Sequence, residues 1–167
     1  MPKLVKDGAI IEDTWTLLPK PEGEATSVDV PAGQVIVPLS VWLAQKSHLQ
    51  NRTDLGVWLD SDETADLLGE DAVSLPLIAV NFPTFMDGRA FSTARLLRER
   101  FGFTGELRAV GNFIRDQLCY LRRCCVNAFA FSNPETDLQA ALKSLNDFTE
   151  YYQASVDQPL PLFRRRA

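Results

Sequence analysis

The sequence has few of the residues that metal and redox chemistry need. It contains one histidine and three cysteines in 167 residues. The cysteines are Cys119, Cys124 and Cys125, which form neither a CxxC pair nor a two-pair zinc signature. Their odd number and close spacing are unlike a secreted disulfide framework, and iron–sulfur clusters normally take four cysteine ligands. We therefore expect buried, unreactive thiols and no metal site.

The chain also lacks an excess of positive charge and any long hydrophobic run. Its 17 Lys and Arg stand against 22 Asp and Glu, which gives a net charge of -5. Nucleic-acid binding needs a positive face to neutralise phosphates, so we expect no nucleic-acid partner. No apolar run approaches the ~20 residues of a membrane-spanning helix, and no signal-peptide core is present. These absences predict a cytoplasmic protein that does not bind membranes.

Familiar motifs for cofactors and nucleophiles are missing as well. The sequence contains no GxGxxG, no GxxxxGK[ST] and no GxSxG. His48, the single histidine, lies near the end of a predicted helix, where a positive charge is favoured, and this indicates a surface or capping role. We expect no cofactor and assign no catalytic residue, so the sequence leaves open whether the protein is an enzyme.

From residue 34 onward, short apolar runs alternate with longer amphipathic stretches, as is typical of α/β folds with parallel sheets. The runs predict five mainly parallel strands, at 34–39, 55–59, 75–82, 106–110 and 126–131. The stretches predict helices at about 40–50, 91–101, 112–124 and from 133 to about 154, with one or two turns at 64–68. This pattern favours a doubly wound open sheet. The alternative is a partial β/α barrel, because a complete barrel needs about 250 residues.

Helical spacing also predicts which side chains are buried. The helix at 40–50 has Trp42, Leu43 and Leu49 as candidate core residues. The helix at 112–124 has one apolar stripe, formed by Ile114, Leu118, Leu121 and Cys125.

Residues 1–30 do not show the alternation of short apolar runs and longer amphipathic stretches that begins at residue 34. The Asp7-Gly8 pair between short apolar runs is a strong signal for a β-hairpin. We interpret 1–30 as a hairpin or cover segment, 31–155 as the α/β domain, and 156–167 as a polar tail.

The loop after the third predicted strand carries the most charged and polar side chains that could bind a ligand. Ligands of parallel sheets bind beyond the carboxyl ends of the strands, where the loops enter helices. Arginines and backbone amides at a helix start favour an anion or an acidic partner surface. The candidate binding residues are Asp87, Arg89, Ser92, Arg95, Arg108 and Arg115.

A structural interpretation of this loop stays open. Asp87 can pair with Arg89 or Arg95 to fix a tight turn, and Glu99 lies four residues after Arg95, where an ion pair forms on a helix. A second acidic group, at 60–63, has the oxygen ligands that Mg²⁺ prefers, but we favour helix capping for it.

Two segments resemble a known family. These are the run from Phe82 to Arg98, FPTFMDGRAFSTARLLR, and its continuation at 105–111 and 115–117. They are similar to a family of small bacterial proteins, domain of unknown function 934, often encoded beside the assimilatory sulfite reductase haemoprotein. The resemblance covers roughly residues 30–155. This chain has Cys124-Cys125-Val126-Asn127 where members commonly carry a Gly-Phe-Asp-like stretch, and Asn112 in place of an acidic residue.

The resemblance implies a role in sulfur assimilation. We expect an accessory protein of sulfite reduction that binds the sulfite reductase haemoprotein or its electron donor. Members are sometimes labelled probable oxidoreductases, but no residue pattern here supports that label. The alternative is a small-anion-binding protein or an enzyme that uses the loop from Asp87 to Arg95. The oligomeric state cannot be predicted from the sequence.

Overall fold

A computed structural model describes residues 2–145. Within this range the chain forms a mixed sheet of eight strands. The strands are β1 Lys3–Lys6, β2 Ala9–Glu12, β3 Thr16–Leu17, β4 Val35–Pro38, β5 Leu55–Leu59, β6 Leu77–Phe82, β7 Glu106–Gly111 and β8 Ala128–Phe129. The helices are α1 Leu39–Leu49, α2 Arg89–Glu99, α3 Leu118–Arg123 and α4 Leu138–Ser144. Short 3₁₀ helices at Ala65–Leu67 and Gly69–Ser74 lie between β5 and β6.

The parallel strands lie side by side in the order in which they occur in the chain. Strands β3 to β8 are successive parallel neighbours, β1 pairs antiparallel with β8, and β2 lies outside β1. A doubly wound sheet reverses its strand order at a switch point, and this sheet does not. The α/β class is therefore confirmed, whereas the doubly wound topology and the strand count are wrong. The observed order is that of the alternative, a partial β/α barrel.

The sheet curls because its two outermost strands are joined by a very short connection. Strand β2 forms one edge and β3 the other, and only residues 13–15 lie between them. Such a connection spans at most about 14 Å, so the two edges come close together. Trp15, within the connection, packs on the inner face of the curled sheet.

The two faces of the sheet contact two different cores. The larger core lies between the sheet and the helices, because right-handed crossovers in sequential order place α1 to α4 on one face of the sheet. The smaller core lies on the inner face and contains Ile36, Trp58, Leu77, Ala79 and Val110. Arg108 pairs in register with Ala79, so its side chain also faces inward.

The N-terminal hairpin is part of this sheet. Asp7 and Gly8 have φ values of 48° and 79°, as a type I′ turn requires, so the predicted hairpin is confirmed. Because β1 pairs with β8 and β3 pairs with β4, residues 1–30 supply strands to the same sheet as the following residues.

Some helix predictions are wrong in detail. Helix α3 begins at Leu118 rather than at 112, and Ile114 is 40% exposed instead of buried. Leu43 on α1 is 48% exposed, while Trp42 and Leu49 are buried as predicted.

The last helix also begins later than its sequence indicates. Asp137 accepts hydrogen bonds from the backbone N–H groups of Gln139 and Ala140, so it is the N-cap in place of Asn133. The predicted end of this helix and the tail at 156–167 lie outside the described residues. Between residues 2 and 145, no helix combines the length and apolar character that crossing a bilayer requires.

Candidate functional site

The parallel strands β3 to β8 all end on one side of the curled sheet, which we call the mouth. The loop after β3 brings Lys20 there, the loop after β5 brings 60–63, and the loop after β6 brings 83–88. In β/α barrels the loops at this end carry the ligand-binding residues. The loop singled out from the sequence therefore lies on the side of the fold where binding is expected.

Asp87 and Arg89 form a two-pronged ion pair at the mouth. Arg89 Nε donates to Asp87 Oδ1 at 3.0 Å, and Arg89 Nη2 donates to Asp87 Oδ2 at 2.7 Å. The same Nη2 donates to Ser61 Oγ at 3.0 Å, which ties the loop after β6 to the loop after β5. The Arg89 guanidinium holds the pKa of Asp87 well below its usual range. The Asp87 side chain is 16% exposed and that of Arg89 is 62% exposed, so the guanidinium faces the solvent.

The structure does not bring the four predicted arginines together. On α2, Arg95 Nε donates to Glu99 Oε2 at 3.1 Å, the surface pair that the sequence spacing predicted. Arg115 is exposed at the start of the 3₁₀ helix Arg115–Gln117 that follows β7, and Ser92 is exposed in the first turn of α2. A role of these residues in anion binding stays a prediction.

Arg108 lies on the inner face of the sheet, away from the mouth loop. Its side chain is 3% exposed, with Nη1 at 2.9 Å from Asp13 Oδ1 and Nη2 at 2.7 Å from Glu106 Oε1. Lys6 Nζ approaches the second oxygen of Glu106 at 2.8 Å. Arg108 therefore joins β7 to the connection between β2 and β3, and its charge is compensated inside the protein.

Lys20 organises the acidic loop after β5. Its Nζ lies 2.9 Å from Asp60 Oδ2, 3.5 Å from Glu63 Oε1 and 3.8 Å from Asp62 Oδ1. It also lies over the ring of Trp58, 5.8 Å from the centroid. Burial lowers the pKa of Lys20, but the hydrogen bond to Asp60 and the neighbouring carboxylates raise the pKa by more, so Lys20 stays protonated.

The acidic loop does not have the capping role that we favoured from the sequence. The N-cap of the following 3₁₀ helix is Thr64, and no side chain caps it. Asp60 instead accepts hydrogen bonds from Asn81 Nδ2 at 3.0 Å and from the backbone N–H of Ser61 at 2.9 Å. No group of three or more His, Cys, Asp or Glu side chains is placed to hold a metal ion in the described range 2–145.

Replacing Lys20 by methionine is expected to lower the stability at neutral pH and to have a smaller effect on stability in acid. Burial raises the pKa of Asp60, but hydrogen bonds from Asn81 and Lys20 lower it below its ordinary value. A carboxyl group of this kind stabilises the fold above its unfolded-state pKa of about 4, and the stabilisation is lost as the pH falls through the lower folded-state pKa. Without the Lys20 ammonium the pKa of Asp60 rises, so Asp60 stabilises the variant less above about pH 4, and the difference in stability from the wild type narrows as the pH falls.

Urea midpoints measured between about pH 2 and about pH 7 test this expectation. At neutral pH the replacement should lower the free energy of unfolding by less than about 1 kcal/mol, because the Lys20 side chain is 39% exposed. Lys3→Met, at an exposed side chain at the start of β1, serves as the control. Identical acid profiles for Lys20→Met and the wild type contradict the assignment.

Four exposed apolar side chains lie beside the mouth, and we call them the apolar patch. Phe85 is 51% exposed, Met86 80%, Ile114 40% and Tyr120 51%. Gln117 Nε2 donates to the carbonyl oxygen of Phe85 at 2.8 Å, which holds the loop after β6 against the loop after β7. The ring of Tyr120 lies 4.8 Å from that of Phe91 on α2. The patch is thus built from two adjoining loops and α3.

A groove of about 470 Å³ borders the apolar patch. Ile114 lines it together with Phe113 and Phe131, whose rings lie 4.7 Å apart. Arg115 and Asp116 line its polar side. Sequence reasoning missed both features, because it placed Ile114 on a buried helical stripe.

A cavity of about 530 Å³ lies at the opposite end of the sheet, beside Asp7, Arg98 and Asn127. Arg98 donates to the backbone carbonyls of Phe103, Gly105 and Cys125 at 2.8–3.1 Å. Burial lowers the pKa of Arg98. These bonds give Arg98 a structural role as a clamp between α2, β7 and the residues before β8.

Cysteine burial agrees in part with the sequence analysis. Cys119 and Cys124 are buried, whereas Cys125 is partly exposed and has a φ of 61°. Cys125 follows the end of α3, where Val126 N–H donates to Leu121 O at 3.1 Å. This is the helix-ending geometry that favours glycine, and here a cysteine adopts it.

Comparison with protein families identifies one match. The model of DUF934, described as a bacterial protein of unknown function, matches residues 56–163. The chain belongs to this family. The match begins within β5, so it includes the loop after β6 and the apolar patch, whereas Lys20 and Asp13 precede it. No curated protein and no solved structure matches the chain.

Proposed function

We propose that the protein is a cytoplasmic accessory protein of assimilatory sulfite reduction and that it acts by binding another protein. Its partner is the sulfite reductase haemoprotein or that enzyme's electron donor. The apolar patch is the observation that carries protein binding, since Met86 is 80% exposed next to Phe85, which is 51% exposed. Clustered exposed apolar side chains mark interaction sites, and aromatic residues, Met and Arg are enriched in interfaces. The link to sulfite reduction rests on the sequence resemblance alone.

The bonding of the polar side chains at the mouth supports binding rather than catalysis. Asp87 compensates Arg89, and the carboxylates of the loop after β5 surround Lys20. A lysine whose pKa is raised is a poor base and a poor nucleophile at neutral pH.

Growth of a deletion strain tests the pathway. We expect slow growth on sulfate and on sulfite as sole sulfur sources, and normal growth on cysteine or sulfide, because the defect lies at the reductase step. Equal growth on all four sources contradicts the role in sulfite reduction.

Complementation of the same strain tests the surface. Met86→Glu should fail to restore growth, because it places a charge on the most exposed side chain of the apolar patch. The matched control is Leu43→Glu, at a side chain on α1 that is also exposed, at 48%. In a pull-down with purified haemoprotein or electron donor, Met86→Glu should weaken binding at least about tenfold. Full complementation by Met86→Glu contradicts a role for the patch.

A small-anion site at the loop from Asp87 to Arg95 is the second candidate function. It is favoured by the Arg89 guanidinium, which is 62% exposed beside the first turn of α2. Calorimetric titration with sulfite and with sulfate tests it. Binding that disappears when Arg89 and Arg95 are both replaced by glutamine supports an anion site, and the absence of binding to the wild type contradicts it.

A further inference from the structure

The cavity of about 530 Å³ beside Arg98 is not used by the proposed function, because it lies at the opposite end of the sheet from the mouth. Its volume is within the range of about 300–1,000 Å³ that is typical of small-molecule sites. Part of its wall is apolar and is formed by Val126, Phe129, Leu142 and Leu145. The cavity therefore has the size and the apolar surface that a small organic molecule needs.

Arg98 brings a charged group to this wall. Its Nε donates to Cys125 O at 3.1 Å, and its Nη1 donates to Phe103 O at 2.8 Å and to Gly105 O at 2.9 Å. Its Nη2 has two N–H bonds, and within the described chain its acceptor is Asn127 Oδ1 at 3.4 Å. This distance exceeds the ordinary range of about 2.7–3.2 Å. Nη2 therefore keeps donor capacity next to Asn127, which also lines the cavity.

No ion pair compensates the charge of Arg98 in the part of the chain that the structure describes. Its acceptors there are neutral oxygen atoms of the backbone and of one side-chain amide. In contrast, the guanidinium groups of Arg52 and Arg108 bond to carboxylates. A partly buried cation without a counter-ion costs free energy, and burial accordingly lowers the pKa of Arg98. A bound anion offsets this cost.

The other charged side chains among the described lining residues are Asp7 and Arg122. Asp7 forms no ion pair with Arg98, but its carboxylate acts on Arg98 through space, and its Oδ1 accepts from Asn127 Nδ2 at 3.1 Å. Arg122 Nη1 donates to the backbone oxygen of Leu145 at 2.8 Å, which holds this side chain at the wall. Because the Asp7 carboxylate repels negative charge, a ligand with one negative charge is favoured over a dianion.

We propose that this cavity binds a small carboxylic acid with an apolar body. The carboxylate accepts a hydrogen bond from Arg98 Nη2, and the apolar body lies against Val126, Phe129 and Leu142. An inorganic anion such as sulfate fits less well, since it is doubly charged and gains nothing from the apolar wall. The inference does not depend on the proposed function, because the two sites lie at opposite ends of the sheet.

Calorimetric titration of the full-length chain with octanoate and with 3-phenylpropionate tests the inference. Both acids should bind. Octanamide, which lacks the charge, and acetate, which lacks the apolar body, should each bind at least about tenfold more weakly than octanoate.

Two variants test the residues. Arg98→Met should weaken the Kd of octanoate at least about tenfold, because the charged donor is gone. Leu142→Trp should weaken it by at least about as much, because the larger ring fills the cavity. Leu43→Trp, at a side chain on α1 that is 48% exposed, is the matched control and should leave the Kd unchanged.

A measurement on the wild type locates the site without any variant. Cys125 lines the cavity and is partly exposed, whereas Cys119 is buried. Saturating octanoate should slow the alkylation of Cys125 by iodoacetamide, followed by peptide mass spectrometry, and should not change the alkylation of Cys119.

Three results overturn the inference. These are the absence of binding for both acids, binding of octanamide as tight as that of octanoate, and binding of octanoate that neither protects Cys125 nor responds to Arg98→Met. The growth tests and the pull-down with Met86→Glu decide the proposed function separately, so either proposal can fail while the other stands.

Discussion

Replacing Arg108 by methionine is expected to lower the free energy of unfolding by about 3–5 kcal/mol. Arg108 is 3% exposed, and its guanidinium bonds to the carboxylates of Asp13 and Glu106, which are 14% and 9% exposed. Methionine fills a similar volume but leaves both carboxylates without this cation in a region that water barely reaches. Urea denaturation followed by tryptophan fluorescence measures the loss.

Two comparison variants separate the charge from the packing at Arg108. Arg95→Met removes an exposed arginine of a surface pair, and its effect should stay below about 1 kcal/mol. Adding Asp13→Asn and Glu106→Gln to Arg108→Met should restore part of the stability, because the uncompensated charges are then gone. A loss below about 1 kcal/mol for Arg108→Met, or no recovery in the triple variant, contradicts the importance of the ion pairs.

Replacing Gly111 by alanine is expected to lower the free energy of unfolding by about 3 kcal/mol or more. Gly111 ends β7 with a φ of 94°, which side chains rarely adopt. In addition, a Cβ atom there collides with the backbone oxygen of Phe82 and with Oδ1 of Asn81. Because Asn81 donates to Asp60, the collision also disturbs the polar contacts at the mouth.

Gly33 offers a matched control for Gly111. Its φ is 96°, nearly the same, but a Cβ atom there meets nothing within 4 Å. Gly33→Ala should therefore show the cost of backbone conformation alone, about 1 kcal/mol. Equal losses for Gly33→Ala and Gly111→Ala, measured by urea denaturation, show that the close approach to β6 has no effect.

The sequence was sufficient to predict the N-terminal hairpin and the five strands β4 to β8, but not the order of the whole sheet. The apolar runs at 55–59 and 75–82 mark strands that are buried on both faces, and both are present. Strand order depends on which neighbours pair across the sheet, and local periodicity carries no information about that choice. Strand β3 has two residues, too few to show from the sequence which strand it pairs with, and the role of Lys20 just beyond it was missed.

The sequence predicted only those contacts of the candidate site that join residues close together in the chain. The Asp87–Arg89 contact joins residues two apart in one loop, and the sequence offered it as one interpretation. The bond between Asp13 and Arg108 joins residues 95 apart, so Arg108 was assigned to the wrong surroundings. Ile114 has the spacing of a buried helical residue, but the positive φ of Gly111 and the delayed start of α3 place it at the surface.

The pairing of β1 with β8 has a consequence for how the chain folds. Asn127, which bonds to Asp7 120 positions away, and the strand that β1 pairs with reach the hairpin only when the intervening strands have been brought together. Contacts so distant in sequence slow folding, so we expect closure of the sheet to be a late and slow step.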